Sequence, residues 1–121
     1  MLFVQQKSKF VEPTSYRNLT LSEKDEVDNF IDKIIADCWI ESTTFKVKDV
    51  VGRKVFANWK NTPLQRIWDY NHASCDDPDR QSGIDVGHIF KLRLAKSKYP
   101  FNLQKDYFNT YIPIKTPYEI A

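Results

Sequence analysis

The 121-residue sequence has little glycine, little cysteine and no long apolar run. With three glycines, it has no glycine-rich phosphate-binding loop. Its two cysteines, Cys38 and Cys75, form no C-x-x-C pair, so we expect reduced thiols in a cytoplasmic protein. The apolar runs are far shorter than the ~20 residues that span a membrane. The first residues become polar too early for a secretory signal, so no contact with a membrane is expected.

The composition is that of a folded domain, because 41% of the residues are hydrophobic and 14% are aromatic. A chain of this length forms one domain with one core. We predict an extended arm over residues 1–18, where Pro13 stops any helix. A single domain over residues 19–114 and a tail over residues 115–121 follow it.

The net charge of +2 conceals an asymmetry along the chain. Residues 19–42 contain seven acids and two lysines, whereas residues 45–105 contain twelve lysines and arginines and six acids. Such an imbalance suggests an acidic partner for the basic half. The alternative is that both halves are ordinary solvated surfaces.

The strongest local signal is a helix over residues 21–40. Thr20-Leu21-Ser22-Glu23 has the pattern of a capping box, in which side chain and backbone of Thr20 and Glu23 bond reciprocally. Apolar residues then recur at helical spacing: Val27, Phe30, Ile31, Ile34, Ile35 and Cys38. The opposite side is acidic.

The middle of the chain predicts a short strand near Phe45 and a short helix that ends at Gly52. Thr62-Pro63-Leu64-Gln65 is a second capping box, with proline at the first helical position. This helix is expected to fade near Asn71. Residues 72–83 are predicted to form a polar loop.

A further helix is predicted over residues 84–97, capped by Ser82 or Asp85. Gly87 would allow a neighbouring helix to approach closely. After Pro100 the apolar period changes to two, which predicts a strand over residues 107–112 that pairs with residues near 101–103. Pro113 would end this strand.

The predicted order of helix, short strand, helices and hairpin is that of a winged helix. The predicted fold class is α+β and mainly helical: a winged-helix-like three-helix core with an extra N-terminal helix and a C-terminal β-hairpin. Within residues 44–114 the chain resembles small winged-helix-like proteins of unknown function from phages and mobile elements of low-GC bacteria. The resemblance is carried by the run from Phe45 to Val51, by Trp59, by Val86-Gly87-His88-Ile89-Phe90-Lys91 and by Tyr107 to Ile112. It implies a fold and a genomic setting but no activity.

The basic residues of the last helix and the hairpin suggest a non-enzymatic DNA-binding regulator. Candidate nucleic-acid-binding residues are Arg80, His88, Lys91, Arg93, Lys96, Lys98 and Lys105. Asn102 and Asn109 could add contacts. His88 is the best candidate to reach a base edge, so binding would depend mainly on phosphate contacts and on salt. The alternative is an amphipathic helix with a lysine-rich outer face.

A second hypothesis assigns function to the acidic helix. Dense carboxylates can imitate DNA, so a phage inhibitor of a host nuclease or other defence effector, such as an anti-CRISPR or anti-restriction protein, would bind protein through this helix. The candidate residues are Asp25, Glu26, Asp28 and Asp32. A symmetric regulator would instead use the same helix to form a homodimer.

A third hypothesis is that the protein is a metal-dependent nuclease. Asp85-Val86-Gly87-His88-Ile89, followed by Asn102 and Asn109, resembles metal-dependent nucleases of the His-Asn-His type, in which a histidine is the general base. The predicted continuous helix around His88 argues against it. A zinc site would have to come from His72, Cys75, Asp76, Asp77, Asp79 and His88, which lack a second closely spaced pair. The sequence therefore predicts no enzyme, no metal and no cofactor.

Overall fold

The computed structural model describes residues 12–47, 49, 59–105 and 109–115. The elements described here are α1 (Thr14–Arg17), α2 (Leu21–Ile40), β1 (Phe45–Lys46), α3 (Gln65–Ser74), α4 (Pro78–Lys96), β2 (Phe101–Gln104) and β3 (Thr110–Pro113). The protein is α+β and mainly helical, as the sequence predicted. Among these residues no helix has both the length and the apolarity needed to cross a membrane.

Helix α2 has the bounds that its sequence predicts, Leu21–Ile40. The capping box is present, because the Glu23 amide donates to Thr20 Oγ1 at 3.1 Å and the Thr20 amide donates to Glu23 Oε1 at 2.9 Å. Val27, Ile31 and Ile35 are buried on one face at helical spacing. The capping box and the apolar spacing therefore both predicted this helix correctly.

The predicted extended arm is wrong for the part that the structure describes. Pro13 precedes the short helix α1 instead of preventing a helix, because its missing amide costs nothing at a helix start. Ser15 and Tyr16 of α1 are buried, so this segment packs on the body. Residues 1–11 lie outside the described residues.

Helix α3 begins at Gln65, later than its capping box predicts. The amides of Gln65, Arg66 and Ile67 bond to carbonyls three residues earlier, which makes a tight turn before the α-helix. The Gln65 side chain accepts from the Asn61 amide at 3.0 Å instead of from Thr62. The helix continues to Ser74, beyond the predicted end at Asn71.

The polar loop predicted over residues 72–83 is wrong, because α4 begins at Pro78. Asp77 caps this helix, with its carboxylate facing the Arg80 amide, and Pro78 occupies the first turn. Ser82 and Asp85, which were predicted as caps, are buried inside the helix. Only residues 75–77 separate α3 from α4.

Gly87 does not serve close helix packing. A Cβ built on Gly87 meets nothing within 4 Å, so the residue faces open space. The predicted role of this glycine is therefore wrong.

The three strands form an antiparallel sheet in the order β1-β3-β2. The predicted hairpin is present as β2 and β3, with Leu103 opposite Tyr111, and β3 ends at Pro113 as predicted. Phe45 of β1 also lies opposite Tyr111, on the other edge of β3. Residues 106–108 between β2 and β3 and most of the short helix predicted up to Gly52 lie outside the described residues.

One hydrophobic core joins α2, α3, α4 and the sheet. Phe45 lies at the junction, with its ring centroid 6.1 Å from that of Phe90 on α4 and 5.6 Å from that of Phe101 on β2. Trp59 is fully buried, with a ring centroid 5.8 Å from that of Trp68. Because the core covers one side of α4, the other side of this helix faces solvent.

Candidate nucleic-acid interface

The solvent-facing side of α4 carries a line of basic residues around one isoleucine. Arg80, Ile84 and His88 are four residues apart and therefore lie on one line along the helix. All three are exposed. Lys91, three residues after His88, continues this line and is half-buried, and Lys96 is exposed in the last turn of α4. We call these five residues the α4 stripe.

The two acids of α4 are bonded to other parts of the protein. Asp79 Oδ1 lies 3.1 Å from Nε2 of His72, whose ring stacks on Trp68 at the end of α3. Asp85 is only 4% exposed. Neither acid belongs to the α4 stripe, so the stripe itself has only basic and apolar side chains.

Asp85 is the centre of a buried hydrogen-bond network. Its Oδ2 accepts from Ser15 Oγ at 2.7 Å and from Asn71 Nδ2 at 3.0 Å, and its Oδ1 accepts from Gln81 Nε2 at 2.7 Å. Asn71 also donates to Ser82 Oγ at 3.1 Å. Because these donors come from α1, α3 and α4, the network fixes how α4 is rotated about its axis.

Arg93 faces away from the stripe, towards the acidic helix α2. Its Nε and Nη2 donate to the two carboxylate oxygens of Asp32 at 2.9 and 2.7 Å, and its Nη1 lies 3.5 Å from Asp28. The side chain is 22% exposed. The hydrogen bond to Asp32 raises the pKa of the Arg93 guanidinium, and burial acts on this pKa in the opposite direction. The sequence placed Arg93 among the DNA contacts, but its guanidinium holds α2 against α4.

The acidic face of α2 is partly neutralised from within the protein. Arg66 of α3 bonds to Glu26 at 2.7 Å and lies 3.3 Å from Glu23. Asp28 and Asp32 face Arg93. Of the four acids proposed to bind a partner protein, three are therefore already paired with an arginine. Asp25 is exposed.

The remaining basic candidates lie near the sheet. Lys98 follows α4 and is exposed, with Nζ 5.3 Å from the centroid of the Tyr99 ring. Lys105 follows β2 and is exposed, as is Asn109 before β3. Asn102 on β2 is half-buried. These four side chains add polar and basic groups to the segment that follows α4 in the sequence.

A cavity of about 540 Å³ lies between α1, α3 and α4. Its lining includes Asp85, Cys75 and Arg17, together with Ile84 and His88 of the stripe. Cys75 donates to Asn71 Oδ1 at 3.5 Å, and both cysteines of the protein are free thiols. Ile84 and His88 of the stripe therefore border a depression instead of a flat surface.

The residues proposed for a nuclease lie on α4 and in the hairpin region. His88 lies within the uninterrupted helix α4, and the Asp85 carboxylate is buried and accepts from three neutral donors. Asn102 and Asn109 belong to the hairpin region. Over residues 12–47, 49, 59–105 and 109–115, no group of three or more His, Cys, Asp or Glu side chains could hold a metal ion.

Sequence reasoning missed Ile84, Asn71 and Ser15. The position of Ile84 could have been inferred, because it lies one turn from both Arg80 and His88. The contacts of Asn71 and Ser15 with Asp85 join residues 14 and 70 positions apart, and no local pattern indicates them. No protein-family model matches the chain, and no curated protein or solved structure is significantly similar to it.

Proposed function

We propose that this protein is cytoplasmic, that it binds double-stranded DNA without catalysing a reaction, and that it serves as a regulator in a phage or mobile element. The observation that carries the proposal is the α4 stripe. Arg80, His88 and Lys96 are exposed basic residues of this helix, and both acids of α4 are bonded elsewhere. A helix with such a face neutralises phosphates and is the kind of element that enters the major groove.

The topology supports the same proposal. Helix α2, strand β1, helices α3 and α4 and the β2–β3 hairpin follow one another in the order expected of a winged-helix-like domain. Only residues 75–77 connect α3 to α4, as in a helix-turn-helix pair whose second helix contacts DNA. Lys98 and Lys105 place further positive charge on either side of β2.

Binding of this kind is led by phosphate contacts. If Arg80 and Lys96 each neutralise one phosphate, the logarithm of the association constant falls with the logarithm of salt concentration with a slope of about −2. Arg93 does not contribute to this slope, because its guanidinium is bound to Asp32 and Asp28.

The test is fluorescence anisotropy with a labelled random-sequence duplex, titrated at several salt concentrations. The double variant Arg80→Glu, Lys96→Glu is expected to bind at least tenfold more weakly and with a shallower salt dependence. The matched control is Lys33→Glu, a charge reversal at a side chain that is 77% exposed on α2. This control should retain its affinity.

Three results would contradict the proposal. They are no affinity for DNA at low salt, an equal loss in the Lys33→Glu control, and an unchanged salt slope in the double variant. A protein without DNA affinity that forms a stoichiometric complex with a host nuclease would instead favour the inhibitor hypothesis.

A further inference from the structure

Ile84 is an exposed aliphatic residue in the middle of α4. Three large hydrophobic side chains are exposed among the described residues: Leu21 at 78%, Ile40 at 61% and Ile84 at 38%. Leu21 and Ile40 are the first and last residues of α2, where a side chain projects past the packed part of the helix. Ile84 instead lies between Arg80 and His88, on the face proposed to meet DNA.

The position of Ile84 is fixed by its neighbour. Asp85 is hydrogen-bonded to α1 and α3, so α4 cannot rotate to bury Ile84 without breaking bonds to Ser15 and Asn71. A helix rises 1.5 Å per residue, so Arg80 and His88 lie about 12 Å apart along the axis with Ile84 midway. This length corresponds to about three or four base pairs of duplex.

Resting on the proposed function, we propose that Ile84 is a specificity-determining residue that contacts the C5-methyl group of thymine in the major groove. That methyl group is the apolar feature that the major groove presents to a protein. Arginine and other hydrogen-bond donors on either side suit the acceptor edge of guanine. The preferred ligand is therefore B-form DNA with a thymine inside a short contacted site, and not RNA, in which uracil has no methyl group.

The experiment first selects the preferred duplex from a random-sequence pool with the full-length protein. Each thymine of the selected site is then replaced by uracil, which removes one methyl group and leaves the phosphates unchanged. At one position the uracil duplex should bind about fourfold more weakly, the effect of one buried methyl group. Ile84→Ala should bind the thymine duplex about as weakly as wild type binds the uracil duplex, and should not distinguish the two.

Leu21→Ala is the matched control, because it truncates an exposed aliphatic side chain on α2. It should keep the wild-type ratio between the thymine and uracil duplexes. The base replacement needs no protein variant, so its result does not depend on how Ile84→Ala folds. The cavity that Ile84 borders would not alter this ratio either, since the protein is the same in both measurements.

The outcomes distinguish a failure of the role of Ile84 from a failure of DNA binding itself. Tight DNA binding with no difference between thymine and uracil at any position would overturn the role of Ile84 and leave DNA binding intact. Discrimination that persists in Ile84→Ala would also overturn it. The absence of any DNA affinity would remove the proposed function together with this inference.

Discussion

Replacing Arg93 with methionine is expected to destabilise the fold more than it weakens DNA binding. The guanidinium forms a two-point contact with Asp32 at 2.9 and 2.7 Å and lies 3.5 Å from Asp28. Asp28 also accepts from the Tyr16 hydroxyl at 2.9 Å. Methionine retains the apolar part of the side chain and leaves both carboxylates without their cation.

The burial of these three side chains sets the expected loss in the free energy of unfolding. Arg93 and Asp28 are 22% and 17% exposed, and Asp32 is 40% exposed. Breaking a fully buried pair costs about 3–5 kcal/mol and an exposed one less than about 1 kcal/mol. A partly buried, two-point contact should therefore cost about 2 kcal/mol. For a domain of this size that lowers the melting temperature by roughly 8 °C.

Urea denaturation monitored by circular dichroism measures this loss in the free energy of unfolding. The second variant is Arg93→Met with Asp32→Asn, which removes one of the two unpaired charges. It should be about 1 kcal/mol more stable than the sum of the single changes implies. The reasoning would be refuted if Arg93→Met kept wild-type stability but lost DNA affinity as the double variant Arg80→Glu, Lys96→Glu is expected to do. Arg93 would then be a DNA contact.

Two further predictions concern stability. Gly87→Ala should raise the free energy of unfolding by about 0.5–1 kcal/mol, because the added methyl meets open space and alanine favours a helix; a destabilised variant in urea denaturation would mean that the position is crowded. Burial and the hydrogen bond to Asp28 raise the pKa of Tyr16 well above the usual tyrosine value. This group therefore contributes stability that is complete below about pH 10 and is lost as pH rises towards the folded-state pKa. Between pH 9 and pH 11 the wild type should lose about 1 kcal/mol more than Tyr16→Phe, and parallel pH profiles for the two proteins would contradict this assignment.

The elements that could be predicted are those set by neighbouring residues. The capping box at Thr20 and the apolar spacing from Val27 to Cys38 together predicted α2 with bounds close to those observed. The change to period two defined the hairpin. The start of α4 was predicted six residues too late, because the Asp77-Pro78 start was interpreted as loop, although both residues are common at helix starts.

The charge asymmetry was also visible in the sequence, but its meaning was not. The sequence determined that one helix is acidic and another basic, since that requires only counting residues along each element. Only the tertiary structure decided which charges remain available: Arg93 turns to Asp32, 61 positions away, Arg66 turns to Glu26, and Asp85 is buried.

The physical reason is that side-chain pairing depends on distance in space. A capping bond or an apolar stripe joins residues within a few positions, so a local pattern specifies it. An ion pair between helices, or a carboxylate that accepts from α1 and α3, exists only when packing has set the rotation of each helix. The same packing leaves Arg80, Ile84 and His88 as the exposed line of α4, and this line is the feature on which the proposed function rests.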